Sequence, residues 1–459
     1  MTQTVDLFEA PLRDEFLFPT NSDIGGTRVD GPAICTYLCG NSLGLLPKRS
    51  AALVQEEFRV WGSKAVEGHF SHPHGRDWMS ITDHVNPLLA ELLGAKTEEV
   101  ACMGTLTANL HLMMNTFYRP TAGRYKILCE GKAFPSDQYA FASQARLHGY
   151  DPKDTVIELF PRPGEYALRE EDILDVIAEL GSSIALVIFS GVQYYTGQWF
   201  PMESITKAAK NQGCVCGWDL AHAIGNVPMS LHDWGVDWAV WCSYKYLNSG
   251  PGGIAGLFVH ENLHDQEPPK YAGWWGHDPA TRFQMPSTFS PIRGAQGFQQ
   301  SNPSVLCVAS LLGSLQLFKE AGMMKALRAR SIKLTAYLEG ELVKSTYYIS
   351  SHEAGMRYPA SEATRPKEET LKPAFTIITP HDPGQRGSQL SLAFFPLGAG
   401  VMPKVHEGLK RYGVIGDERQ PDVIRLAPMG LYNTSADCDS AVRYLAEVMK
   451  AIEGDVPRS

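Results

Sequence analysis

A lysine and an aspartate, 26 residues apart, each follow a strongly apolar run. Lys245 lies in Ser243-Tyr244-Lys245-Tyr246, directly after the apolar residues 238–242 and before Gly250-Pro251-Gly252-Gly253. An amine at the end of a buried strand is poorly solvated, which favours its neutral form, a nucleophile towards an aldehyde. The same side chain could instead run its stem along apolar surface and reach water. Asp219 ends a second apolar run in Trp218-Asp219-Leu220-Ala221-His222. A buried carboxylate with a strand-end lysine is what pyridoxal phosphate needs: the carboxylate keeps the pyridine nitrogen protonated, and the lysine forms a Schiff base. Taken singly, Asp219 could cap a helix or complete an ion pair. His222 could stack on or hydrogen-bond a cofactor, or be a satisfied core histidine.

Two further turns could complete such a site. Gly104-Thr105-Leu106-Thr107-Ala108-Asn109 stands between an apolar run and an apolar helix, so its free N–H groups and hydroxyls could hold a phosphate. A simple Thr cap would look the same. Phe134-Pro135-Ser136-Asp137 is a turn that opens a helix, with an aromatic able to cover a planar ring.

These turns need a scaffold, and the chain supplies one. Apolar, β-rich runs at 125–129, 155–160, 184–189, 215–219, 238–242 and 254–260 alternate with helical patterns such as 169–180 and 202–211. Strand-helix-strand repetition with runs apolar on both faces predicts a mostly parallel sheet between two layers of helices. The step from 242 to 254 is too short for a helical crossover, so one strand there runs antiparallel. Ligands of such sheets bind at the loop ends where these motifs fall. The last third reads as a smaller α+β unit: strands at 374–379, 389–395 and 423–427, helices at 404–412 and 435–452, joined through helical sequence at 305–342. Residues 353–372, rich in charge, Pro and Gly, read as an exposed loop.

Composition sets the limits. At 459 residues the chain exceeds one ordinary core, and 44% apolar with 20% charged residues is a globular composition. A net charge of −9 argues against a general nucleic-acid binder or a polybasic membrane-surface protein. No apolar stretch is long enough to span a bilayer. The N-terminal residues lack a secretory pattern, and nine scattered cysteines without a CxxC pair read as reduced thiols, so the expected location is the cytoplasm.

Several runs resemble kynureninases, within the aspartate-aminotransferase-like fold type I superfamily of pyridoxal phosphate enzymes. They are Tyr37-Leu38-Cys39-Gly40-Asn41-Ser42-Leu43-Gly44-Leu45, Phe134-Pro135-Ser136-Asp137, WDLAHAIGNVPMSLHDW from Trp218, WCSYKYLNSG from Trp241, GWWGH from Gly273 and GFQQSNP from Gly297. The resemblance spans about residues 35–435 and implies a division into three parts: 1–60 packing with the small domain, 61–320 as the large α/β domain with a seven-stranded-type sheet, and 321–459 as the small α+β domain. It also implies hydrolysis of the Cβ–Cγ bond of L-kynurenine or 3-hydroxy-L-kynurenine to an anthranilate and L-alanine, a step of tryptophan catabolism towards NAD.

Carried over by residue, the resemblance assigns the Schiff base to Lys245, the pyridine nitrogen to Asp219 and support of that Asp to His222. Leu106, Thr107, Ser190 and Tyr244 would surround phosphate and ring. Phe134 would stack on the ring, with Pro135, Ser136 and Asp137 beside it. Trp274 and Asn302 would reach phosphate and substrate from the neighbouring subunit of a homodimer with shared active sites. Arg425 would bind the substrate α-carboxylate, which its planar fork suits. His69, from the crowded His69-Phe70-Ser71-His72-Pro73-His74, would face the aryl ring, and Ser301 would contact a ring hydroxyl. Tyr244 could also relay a proton to the β-carbon.

Other readings are weaker. A cysteine desulfurase or aminotransferase would share the scaffold, but a desulfurase needs a cysteine on a loop, whereas Cys307 and Cys438 fall in helical patterns and Cys214 and Cys216 in a strand. A metallohydrolase built on His69, His72 and His74 lacks a completing ligand set. A cofactor-free scaffold has no use for Lys245 with Asp219.

Overall fold

The structure, a computed structural model, describes residues 10–266, 271–358 and 372–454. Seven strands form the main sheet: β1 Val100–Cys102, β2 Lys126–Glu130, β3 Val156–Leu159, β4 Ile184–Ser190, β5 Val215–Asp219, β6 Trp238–Cys242 and β7 Ala255–Val259. Their spatial order is β1-β7-β6-β5-β4-β2-β3, and only β7 runs against its neighbours. The short link after β6 is thus the antiparallel step expected from its length.

Alternate residues of each strand enter opposite cores. Leu128, Val187, Trp218 and Trp241 pack on one face, with helices Glu170–Leu180, Met202–Asn211 and Val305–Glu320. Ile127, Leu186, Ile188 and Val240 pack on the other, with helices Leu106–Phe117 and Pro135–Leu147. Burial on both faces is why these strands read as continuous apolar runs.

A four-stranded antiparallel sheet forms the smaller layer: β8 Ala374–Ile377, β9 Leu390–Phe395, β10 Asp417–Arg419 and β11 Val423–Leu426, in the order β8-β9-β11-β10. Helices Val401–Arg411 and Ser435–Gly454 and the C-terminal half of Met323–Leu342 cover it. The last of these begins in the larger core, through Met323, Met324 and Leu327, and ends in the smaller one, through Leu334, Leu338 and Leu342. It joins the two units. The helical sequence at 305–342 is broken at Gly322, whose φ of +84° is a conformation that glycine adopts without steric cost.

The N-terminal stretch contacts both units. Thr36–Tyr37 pairs in parallel with Val414–Ile415, Leu38 enters the smaller core, and Arg13 bridges to Asp437 at 2.7 Å. Leu45 joins the larger core, and the Ser50 hydroxyl donates to the Ser310 carbonyl at 2.6 Å. The exposed loop expected at 353–372 needs correction at its start, where Ser351–Arg357 is a helix capped by the Ser350 hydroxyl; residues 359–371 lie outside the described residues. No single described helix is long and apolar enough to cross a membrane.

Candidate active site

The C-terminal edge of the parallel strands carries a cavity of about 250 Å³. Its wall includes ten of the residues singled out in the sequence: Leu106, Thr107, Phe134, Ser136, Asp137, Ser190, Asp219, His222, Tyr244 and Lys245. Each is placed by a strand end or a helix start. Asp219 is the last residue of β5 and stands level with Ser190, the last of β4. Tyr244 and Lys245 follow β6 by two and three residues, and Leu106 opens the helix after β1.

Gly44 packs against the Lys245 loop. Gly44 N–H donates to the Tyr244 carbonyl at 2.8 Å, and a Cβ on Gly44 would lie 2.5 Å from the Lys245 carbonyl oxygen. Only glycine fits there, which gives the CGNSLG motif a physical reason.

Lys245 Nζ lies 3.0 Å from His222 Nε2 and 5.9 Å from the centre of the Phe134 ring. Burial, and then the Lys245 charge, push the His222 pKa well below its ordinary value, so the imidazole is neutral. Its Nε2 accepts from the lysine, which leaves the proton on Nδ1, a buried atom without a partner among the described residues.

Asp219 and Asp137 form a buried carboxyl pair. Asp219 accepts from Ala221 N–H at 2.6 Å and is also hydrogen bonded to Asp137. Burial raises both pKa values, and that of Asp137 lies well above the ordinary one because the Asp219 charge adds to its burial. Asp137 therefore carries the shared proton and Asp219 stays the acceptor. Asp137 Oδ1 also lacks a partner among the described residues.

The phosphate turn is open. Thr105 occupies the N-cap position without a side-chain cap bond, contrary to a simple Thr cap, so the first-turn N–H groups are left for a ligand. Thr107 Oγ1 and Ser136 Oγ meet at 2.7 Å across two helix starts. Pro135 stays off the wall; as the first residue of its helix it sets the turn that presents Phe134 and Ser136.

Glu130 stands outside the motifs singled out in the sequence. It ends β2, is buried, and accepts from the Ser190 hydroxyl at 2.5 Å. Burial lifts its pKa to about 7, with the nearby Asp219 charge adding to the rise. The signal that found Asp219, a carboxylate closing an apolar run, is present here too. Tyr194 and Val192 also line the cavity, and nothing in their types marked them.

Besides Pro135, five expected residues do not line the cavity within one chain. Arg425 is 1% exposed and lies behind Tyr194, whose carbonyl it meets at 2.6 Å while its other nitrogen pairs with Asp417. Trp274 is 44% exposed and packs edge-on against Phe283, which in turn meets Phe70. His69 is half-buried on the same aromatic face, 5.2 Å from the Trp78 ring. Ser301 and Asn302 are exposed. His72, by contrast, is buried on Glu57 at 3.0 Å and so is structural.

The donor set fits pyridoxal phosphate. One cavity is lined by an amine, an acidic pair, hydroxyls and the start of a helix, and two buried polar atoms of its wall, His222 Nδ1 and Asp137 Oδ1, have no partner among the described residues.

Known proteins agree. An aminotransferase class-V model matches residues 37–356 and a kynureninase C-terminal domain model residues 363–445. Kynureninase of Yarrowia lipolytica is 51% identical over 91% of this chain and 95% of its own length. Those of Nematostella vectensis and Saccharomyces cerevisiae are 50% and 49% identical, over 96% and 95% of this chain and 91% and 96% of theirs. Among solved structures, the Escherichia coli cysteine desulfurase CsdA superposes with a TM-score of 0.70 at 18% identity, over 96% of this chain and 98% of that one. The cystine C–S lyase C-DES gives 0.70 at 17%, over 90% and 97%. At such identities these two share the fold with this chain. Two family models and relatives at half identity over nearly the whole length lead to one conclusion: this chain belongs to the kynureninase family.

Proposed function

We infer that the protein hydrolyses the Cβ–Cγ bond of L-kynurenine or 3-hydroxy-L-kynurenine, releasing an anthranilate and L-alanine, with pyridoxal phosphate held by Lys245. The observation that carries this is the identity of about half over nearly the full length to kynureninases, together with Lys245, His222, Asp137 and Asp219 around one cavity.

When bound, the cofactor supplies an electron sink for the pair left at the substrate α-carbon. The chain's own residues do the rest. Asp219, kept in an acceptor role by the proton on Asp137, would hold a protonated ring nitrogen. Thr107, Ser136 and the helix start at Leu106 would grip the phosphate. Lys245, once released from the cofactor, becomes the amine that can take the α-proton, with neutral His222 as its hydrogen-bond acceptor. Burial drives the Tyr244 phenol pKa up, so its hydroxyl keeps its proton and can donate to phosphate or β-carbon. Phe134, at the mouth, would cover the ring. Glu130 would hold Ser190 in place through the hydroxyl.

Arg425 would take the α-carboxylate. His69, Ser301, Trp274 and Asn302 would complete the site from the second subunit of a homodimer. The exposed aromatic face of Trp274, Phe283 and Phe70 supports that reading, since large apolar patches call for cover. We place the dimer in the cytoplasm and keep the three-part division at residues 60 and 320. Steady-state assays with both substrates test the reaction, and Ser301→Ala tests the preference. An unchanged preference between kynurenine and 3-hydroxykynurenine in Ser301→Ala would discard Ser301 as the hydroxyl contact; no anthranilate from either substrate would discard the activity.

A further inference from the structure

The edge of the main sheet opposite Lys245 carries a second cluster of ligating side chains. Register pairs Val100 of β1 with Phe258 of β7, so Glu99, just before β1, and His260, just after β7, emerge side by side. His232 comes from the turn that leads into β6. The three ligand atoms lie within 4.8 Å of one another. Glu99 Oε1 is 2.9 Å from His232 Nδ1 and 3.9 Å from His260 Nδ1. Ligand atoms in a tetrahedral zinc site, with bonds of about 2.0–2.1 Å, sit about 3.3 Å apart, between these two values.

The surroundings preset the donors. Glu99 is fully buried, and its carboxylate is fixed by the N–H groups of Glu261 and Lys96, each at 2.8 Å. His260 Nε2 donates to the His232 carbonyl at 3.1 Å, which leaves the lone pair on Nδ1, 3.9 Å from Glu99 Oε1. That lone pair accepts the Asn262 N–H at 3.1 Å, a bond that a bound ion would replace. Orienting bonds of this kind are what hold metal-ligating histidines and carboxylates in place. The two imidazoles stack at 5.0 Å and 11°, so the His232 ring must turn for both Nδ1 atoms to meet one ion; its side chain is 25% exposed, which leaves it free to turn and gives an entry path. The Lys96 ammonium is engaged with Glu261, not with Glu99.

We propose that Glu99, His232 and His260 form a site for a divalent cation of zinc type, with two nitrogens, one carboxylate oxygen and water as ligands. Binding requires His232 to shift its proton from Nδ1 to Nε2. The ion ties the start of β1, the end of β7 and the 232 turn together. The site lies about 16 Å, a five-residue strand, from the cofactor edge, so its role is to brace the sheet, separate from the reaction.

The test is titration of chelator-treated holoenzyme with Zn²⁺ and with Co²⁺. One Zn²⁺ per chain is expected, with a raised Tm. Bound Co²⁺ should show the visible absorption of a four-coordinate ion without a thiolate charge-transfer band. His232→Gln, at a partly exposed position that leaves the core intact, should weaken binding at least about tenfold while metal-free kynurenine turnover stays the same. His260→Gln should do likewise. If His260→Gln does not accumulate as folded protein, His232→Gln decides alone. No bound ion, or unchanged affinity in His232→Gln, would show a hydrogen-bonded cluster only and overturn the proposal.

Discussion

Lys245 Nζ and His222 Nε2 meet at 3.0 Å inside the cavity, and burial keeps the imidazole neutral. The histidine is therefore an acceptor that aims the lysine, and its remaining proton sits on Nδ1, which has no partner among the described residues. His222→Phe removes the acceptor while keeping an aromatic ring. It should lower kcat about 10²-fold, the usual effect of a misplaced reacting group, with the cofactor still bound. Cofactor occupancy and kcat measured on the same preparation separate the two, and an unchanged kcat would remove His222 from the lysine's positioning.

The carboxyl pair assigns unequal roles to its members. Asp137 carries the proton, so Asp137→Asn keeps a donor to Asp219 and should cost less than about tenfold in kcat. Asp219→Asn loses the acceptor for a ring nitrogen and should cost about 10²–10⁴-fold. Equal losses in the two variants would contradict this division.

Glu130 links the site to pH. Its folded pKa is about 7 against an ordinary 4.5, so the folded chain holds this proton more tightly than the unfolded chain does. The contribution to stability is then highest below about 4.5 and is lost as pH rises through about 7. Glu130→Gln should flatten the fall in denaturant midpoint across that window. Parallel stability curves for the two proteins would show that Glu130 does not titrate there.

Tyr244 keeps its proton because burial raises its pKa. If it relays that proton to the β-carbon, Tyr244→Phe should slow turnover far more than it weakens cofactor binding. Equal losses in both would reduce it to a phosphate contact.

Much of this was legible because strand ends bear the chemistry. The runs 215–219 and 238–242 match β5 and β6 to the residue, since burial on both faces leaves no room for polar interruption. β10 was not legible. Asp417-Glu418-Arg419 has no apolar pattern, and its place is set across the register, where Asp417 stands opposite Arg425. That pairing also explains why Arg425, readable as a carboxylate binder by type, is held by a carboxylate of its own chain. The β1 run was too short to read as a strand, and needs β7 beside it. His69 and Trp274 have local partners that say nothing of a second subunit, so their roles depend on a surface that one chain does not close.

Borohydride reduction of the purified holoenzyme tests most directly whether Lys245 carries the cofactor. A yellow protein is expected, whose visible band disappears on reduction, with the reduced pyridoxyl group recovered on the peptide containing Lys245. A colourless protein after loading with pyridoxal phosphate, or a label on a different lysine, would contradict it.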